Sequence, residues 1–316
     1  MIIKEQALFK MRKKILFVPG KNPKPEPGKH INYLRRCLLE GVTRHSPQAA
    51  QEILEQDAFE LCSWNYRFYQ EHLDFSPLLG SIDGVCRKTR ASAKDRVFAT
   101  TWKIAASRLI YQLGDKYPWL IDVLADEHVK AMIHDTERYF ENVDGIADEI
   151  RQILIEGILD CTKNCKILLI GHSMGSIISF DTLCKLQELG TPGKLVDSFL
   201  TLGSPMGLRY TQERLVSFSK NESAKMPANI GTWHNVSARG DLVSVDTTLA
   251  DDFSLMKTAG LVGDIIDYKS NVFNWYRNND GYNFHSSYGY LVEPTVAKII
   301  SNWWLEDNEN APSEAA

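Results

Sequence analysis

No stretch of this 316-residue chain is a long unbroken apolar run, so no segment reads as a membrane span. Charge of one sign is also lacking. The 36 basic and 40 acidic residues leave a net charge of -4, which argues against nucleic acid as the main partner. There is no zinc-protease motif and no glycine-rich dinucleotide fingerprint after a strand. Gly28-Lys29-His30 imitates the end of a phosphate-binding loop, but His30 stands where Ser or Thr is required and Pro23 where the first glycine belongs. No metal or other cofactor is therefore expected. The six cysteines (Cys37, Cys62, Cys86, Cys161, Cys165, Cys184) show no regular framework. Cys161 and Cys165 are spaced for one helix face, and reduced thiols in a cytoplasmic protein are the expectation.

No signal peptide is expected in the N-terminal segment. Lys10, Arg12, Lys13 and Lys14 precede Ile15-Leu16-Phe17-Val18, but that apolar run is short and ends in Pro19-Gly20-Lys21 with no small-residue cleavage site. A buried strand is the better reading. The basic leader offers at most a weak contact to an anionic membrane surface. The remaining composition, 44% apolar and 24% charged, is that of a globular protein large enough for one α/β domain with an insertion.

What the chain does contain is Lys166-Ile-Leu-Leu-Ile-Gly171-His172-Ser173-Met174-Gly175-Ser176-Ile-Ile178. An apolar run without polar alternation reads as a buried parallel strand. A serine follows with glycine two residues away on each side, and an apolar helical pattern resumes at once. Ser173 then sits on a turn too tight for side chains at Gly171 and Gly175. That turn lifts its hydroxyl from the sheet and sets the N–H of Met174 at a helix N-terminus, where an oxyanion can be held. His172 is expected to support the elbow, its ring on the sheet side.

Strands are predicted at Lys14–Val18, Ala58–Ser63, before the elbow, at Leu195–Leu202, at Thr232–Ser237 and near Tyr268–Phe273. Helices are predicted at Ile31–Val42, Ala49–Leu54, Asp135–Cys161 and Pro294–Trp304. Alternating strands and helices imply an α/β class: a doubly wound, mostly parallel sheet with ligands at the carboxyl ends of its strands. Residues 64–134 break the alternation, contain a helical stretch from Trp102 to Leu113 and are rich in aromatics. They are read as an inserted helical cap over the core of 1–63 and 135–306, with Tyr66, Tyr69, Phe75, Trp102 and Tyr111 as candidate pocket residues. Residues 307–316 form a polar, acidic tail expected to be disordered.

A serine hydroxyl needs a base and a carboxylate to orient that base. With the chain order serine, acid, histidine, His234 and His285 are the histidines that remain. His234 falls inside a strand, whereas His285 lies in a turn-rich loop before the last helix and is the chosen base. Asp241, just after the fifth strand, is the chosen acid, with Asp246 its chief competitor and Asp251, Asp264 and Asp267 behind. The N–H of Lys21, after the first strand, is the candidate second oxyanion donor.

These segments resemble the α/β-hydrolase superfamily and its lipase-like intracellular members. The elbow from Gly171 through Asp181 is similar to that of GPI-inositol deacylases and DDHD-type phospholipases, as are Phe199–Gly207, Trp233–Val243 with Asp241, and His285 with Tyr288. Pro19 stands where a histidine often precedes the oxyanion glycine, and Leu242 where a proline usually follows the acid. The resemblance implies a cofactor-free serine hydrolase of a carboxylic ester, with a lipid or acyl-chain ester as the expected substrate class. The same superfamily also contains thioesterases and acyltransferases, and a catalytically silent scaffold that keeps the pocket is the reading outside the enzyme class.

Overall fold

The computed structural model describes residues 11–101, 104, 135–161, 165–191, 193–215 and 226–306. Its centre is a six-stranded, wholly parallel sheet of order β2-β1-β3-β4-β5-β6. The strands are β1 (Arg12–Val18), β2 (Phe59–Leu61), β3 (Cys165–His172), β4 (Val196–Leu202), β5 (Ile230–Val236) and β6 (Asp264–Tyr268). The chain winds from β1 outward to β2, then returns to place β3 on the other side of β1. The gap between β1 and β3 is thus the topological switch point, where open α/β sheets form crevices.

Strand alternation decides which helices cover which face. Ile15, Phe17, Leu168, Ile170, Leu200 and Leu202 belong to one core cluster, and Leu16, Val18, Ile167, Leu169, Phe199 and Trp233 to the other. The first face carries α1 (Pro27–His45), α2 (Pro47–Glu55) and, from the end of the described chain, the last helix (Pro294–Leu305). The second carries the helix Ile146–Cys161, here α6, and the elbow helix Met174–Glu188, here α7. Proline opens three of these helices in their first turn, where its missing N–H costs nothing. Ser46 ends α1 and caps α2, its hydroxyl accepting from Ala49 N at 3.2 Å.

Three expectations need correction. The helix foreseen over Asp135–Cys161 is broken: residues 135–140 are helical, but Asn142, Asp144 and Gly145 adopt positive φ before α6 begins. Asn142 causes the restart, since its Oδ1 accepts from Ala147 N and Asp148 N at 2.9 and 3.2 Å. The sixth strand lies at Asp264–Tyr268, not near Tyr268–Phe273. Asn271 is left-handed there (φ 62°), and Val272 enters the core from a loop. Finally, Cys161 and Cys165 form a disulfide, while Cys37, Cys62, Cys86 and Cys184 are free and buried. Their spacing spans the passage from α6 into β3, not one helix face.

The described part of the 64–134 segment packs into both core clusters. It contains α3 (Asn65–Tyr69), α4 (Leu79–Arg87) and α5 (Ala93–Ala99). Trp64 and Phe68 join the second cluster, and Phe75, Ile82, Val85 and Cys86 the first. The helix expected at Trp102–Leu113 lies outside the described residues apart from Ile104, and the 307–316 tail lies wholly outside them. No described helix is long and apolar enough to cross a membrane. Of the basic leader, Lys10 lies outside the described residues, Arg12 is exposed, and Lys13 and Lys14 are engaged internally. Lys13 Nζ donates to the carbonyls of Trp303 and Trp304, and Lys14 Nζ pairs with Glu60 at 2.7 Å.

Helix α1 meets the short helix Ser287–Leu291, here α8, at Gly41. A Cβ there would lie 2.5 Å from Leu291 O, and both partners are backbone. Gly41→Ala is expected to lower unfolding stability by about 1–3 kcal/mol through overpacking, read from urea melts. A loss below about 0.5 kcal/mol would mean that the two helices separate freely.

Candidate active site

The loop after β3 carries Ser173 in a strained conformation, φ 54° and ψ −127°. This region is sparsely populated by non-glycine residues. Two close approaches impose it. A Cβ on Gly171 would sit 2.6 Å from Ser176 Cα, and one on Gly175 would strike the carbonyl oxygens of Val18 and Pro19. Ser173 N donates to Leu202 O at 3.0 Å, and the Ser176 hydroxyl donates back to Ser173 O at 2.6 Å. Met174 occupies the first position of α7, where a backbone N–H has no intrahelical acceptor.

The loop after β1 runs beside the serine. A Cβ on Gly20 would lie 2.9 Å from Ser173 Cβ and 3.0 Å from His172 Nδ1. This loop is held by residues that follow β2 in the chain, of which Trp64 and Asn65 were not foreseen from the sequence. Trp64 Nε1 donates to Pro19 O at 2.8 Å, and Asn65 Nδ2 donates to Gly20 O at 2.8 Å and Asn22 O at 3.0 Å. Tyr69 accepts from Asn22 N at 3.0 Å and donates to Asp135 at 3.0 Å. A tryptophan followed by asparagine directly after the second strand was the only signal, and it has no characteristic spacing. Within the loop, Lys24 Nζ donates to Lys21 O at 2.6 Å. Burial pushes both ammonium groups down to about 8; Asp135 partly opposes this at Lys21, while the charge of Lys21 adds to it at Lys24.

Beyond β4, Gly203 (φ 56°) follows the Leu202 carbonyl that receives Ser173 N. A Cβ there would lie 2.7 Å from Asp241 Oδ2 and 3.0 Å from His285 Nδ1. His285 Nδ1 is 2.9 and 3.1 Å from the two oxygens of Asp241, whose side chain is fully buried. Oδ1 also accepts from Val243 N at 2.9 Å, and Oδ2 from the Tyr290 hydroxyl at 2.6 Å. Burial works to raise the Asp241 pKa, but the imidazole's charge and these hydrogen bonds outweigh it and hold it below the usual carboxylate range.

The competing residues lie elsewhere. Asp246 Oδ1 accepts from Thr248, Asp264 Oδ1 from Ile265 N, and Asp267 from Asn235, Leu249 and Ala250. Asp251 accepts from the Thr248 hydroxyl, and His234 Nδ1 meets Tyr268 on the far strand.

His172 does not point at the sheet as expected. Its ring lies 4.7 Å from that of His285, and its Nε2 is 2.7 Å from His285 O. Burial, followed by the charge of His285, pushes His172 well below the normal histidine value. It is therefore neutral, with Nε2–H donating to the carbonyl of His285. Of the candidate pocket aromatics, Tyr66 is exposed and stacks on His72, Phe75 is buried between Tyr33 and Tyr288, and Tyr69 braces the β1 loop. Trp102 and Tyr111 lie outside the described residues. Among the described residues no cluster suited to a metal ion occurs.

The model of the family described as Lecithin:cholesterol acyltransferase matches residues 131–230. That stretch contains α6, β3, Ser173, α7 and β4, and it lies upstream of Asp241 and His285. With the parallel sheet and its order, this decides the architecture. The chain has the α/β-hydrolase fold. Comparison with curated proteins and with solved structures finds no match. In this parallel sheet the elbow and the carboxyl ends of β1, β4 and β5 share one edge, and His285 and Asp241 meet beside Gly203 at the end of β4.

Two histidines at or near this site stay neutral when buried, which fixes how stability responds to acid. His172 is pushed well down, and burial with the nearby charge of Lys24 pushes His30 down to about 3. In the unfolded chain each takes up a proton as pH falls through about 6.5. The folded chain does not until far lower pH, so stability falls below pH 6.5, by up to about 1.4 kcal/mol per pH unit per histidine. His30→Leu should make the slope of urea-unfolding free energy between pH 6.5 and 4.5 shallower by close to one proton. An unchanged slope would show that His30 titrates alike in both states.

Proposed function

We propose that this chain is a serine hydrolase of carboxylic esters bearing a lipid or other acyl group, acting through an acyl-enzyme. Ser173 Oγ attacks the ester carbonyl while His285 takes its proton. Asp241 holds the imidazole by Nδ1 and stabilises the imidazolium. The N–H groups of Met174 and Lys21 receive the oxyanion. His285 then gives its proton to the leaving alcohol, and water repeats the sequence in reverse to release the acid. The observations that support this reading are the bond from His285 Nδ1 to the buried Asp241 and a serine held on a strained elbow at the end of β3. The likeness of the elbow to GPI-inositol deacylases and DDHD-type phospholipases supports a lipid ester, and residues 64–134 are assigned as the cap that holds its apolar part.

A second reading has its own support. The matched family is described by acyl transfer, and the same acyl-enzyme passes its acyl group to an alcohol if one is held where water would attack. Product analysis with and without added alcohol separates the two outcomes, since transfer yields a new ester and hydrolysis the free acid.

A fluorophosphonate probe tests the proposal directly. The wild type should be labelled at one residue, and Ser173→Ala should abolish labelling and lower esterase turnover by about three to six powers of ten with the fold intact. His285→Ala should be nearly as damaging, because the two act as a unit. Full labelling of the alanine variant at 173 would refute the assignment.

A further inference from the structure

We propose that Tyr290 is a positioning residue for the reaction, its phenol acting on the imidazole of His285 only through Asp241. This rests on the serine-hydrolase reading above. It concerns a residue that neither the elbow pattern nor the chain order of serine, acid and histidine brings forward.

The geometry is specific. Helix α8 begins two residues after His285, with Ser286 as its cap, and Tyr290 N donates back to Ser286 O at 3.1 Å. One turn of helix therefore brings a side chain back beneath the loop that holds the base. Tyr290 is completely buried, and its ring lies 6.0 Å from that of His172. Its oxygen accepts from Ala238 N at 2.9 Å. That acceptance directs the phenolic hydrogen away from Ala238 and along the 2.6 Å line to Asp241 Oδ2. Oδ2 is also the carboxylate oxygen nearer to His285 Nδ1. The phenol and the imidazole thus share one oxygen, while Val243 N occupies the other.

Two consequences follow. First, the carboxylate is pinned at both oxygens, so its plane and hence the imidazole's direction are set. Second, the phenol draws charge from the oxygen that faces the imidazole, so that losing the phenol favours the imidazolium. Burial holds the phenol well above its ordinary value, so it remains a donor at every working pH. The titratable and charged groups around the pair are His285 itself, Tyr290 on α8, His172 at the end of β3 behind His285, and Lys24, whose charge bears on His172. His172 is neutral and adds no charge of its own beside the carboxylate.

The second half of the helix entry is equally constrained. Asn274 Nδ2 donates to Ser286 O at 2.8 Å, and Gly289 leaves room for the Asn274 amide. The ring of Tyr290 is therefore carried on a helix fixed at its start, and loss of the hydroxyl alone leaves that support in place.

The test uses the full chain and the rate of fluorophosphonate labelling across pH, with labelling of the wild type at Ser173 as the independent check on the reading beneath it. Tyr290→Phe should lower the plateau rate about tenfold, the order expected for a lost hydrogen bond to a charged group, and should move the acid limb to higher pH. Its effect should vanish in the Asp241→Asn background, because the phenol acts through that carboxylate. A 3-fluorotyrosine at 290 keeps the ring and hydroxyl but is a stronger donor, and should move the acid limb to lower pH. This arm decides the matter should the phenylalanine variant fail to fold. A wild type that labels normally, together with an unmoved limb in both variants or losses that simply multiply with Asp241→Asn, would reduce Tyr290 to a packing residue and overturn the inference.

Discussion

The constraint on which the site depends is the close approach of backbone to backbone between the start of α7 and the ends of β1 and β3. Gly175 touches the carbonyl oxygens of Val18 and Pro19, and Gly171 touches Ser176. With no Cβ at either place the elbow closes, and Ser173 is left in a conformation that costs on the order of 1–3 kcal/mol. The sheet sustains this cost: β3 is flanked on both sides by parallel neighbours, and Ser173 N is tied to Leu202 O on the adjacent strand. The strain is thus held by structure that cannot relax locally.

The loops that meet the elbow are short of internal support and borrow it from distant residues. Pro19, Gly20 and Asn22 have their carbonyls held by Trp64 and Asn65. The His285 loop is held by His172 and Asn274, and the Asp241 loop by Tyr290. Each is a buried or part-buried hydrogen bond between a side chain and backbone or carboxylate. Such bonds specify position well because leaving either partner unpaired in the interior is costly. The electrostatics agree. His172 is kept neutral, and so it donates to His285 without adding a second positive charge beside it.

What was legible in the sequence was whatever has a short-range period or a local steric rule. The unbroken apolar run Ile15-Leu16-Phe17-Val18 told of a buried strand, and its residues are buried on both faces. The glycines around Ser173 told of a turn without room for side chains. Harder were features set by a single side chain reaching across sequence. Asn142 breaks an otherwise continuous helical pattern by capping Ala147 and Asp148, yet its apolar spacing carries no trace of that. Val272 and Phe273 look like strand residues, but a left-handed Asn271 sends them into the core as a loop. The reduced state expected of Cys161 and Cys165 failed because their spacing was read on a helix, whereas the helix ends between them. Trp64, Asn65 and Tyr290 carry no motif at all. Their roles exist only once remote segments are brought together.

The same reasoning bears on how the 64–134 segment relates to chemistry. At its start, Trp64 and Asn65 grip the β1 loop. Further on, Ser92 caps α5 in a capping box with Asp95, Asp95 accepts from the Tyr282 hydroxyl at 3.0 Å, and Phe98 stacks on Tyr282 with ring centres 4.5 Å apart. Tyr282 in turn stacks on Phe284, the residue before His285. The segment is therefore tied to the loop that offers Lys21 N–H and, through two stacked rings, to the loop that offers His285. A cap joined only by its ends would shape substrate binding alone. Under the proposed function, a segment bonded to both loops would also set where the proposed oxyanion donor and base stand, so that its packing would bear on turnover as well as on affinity.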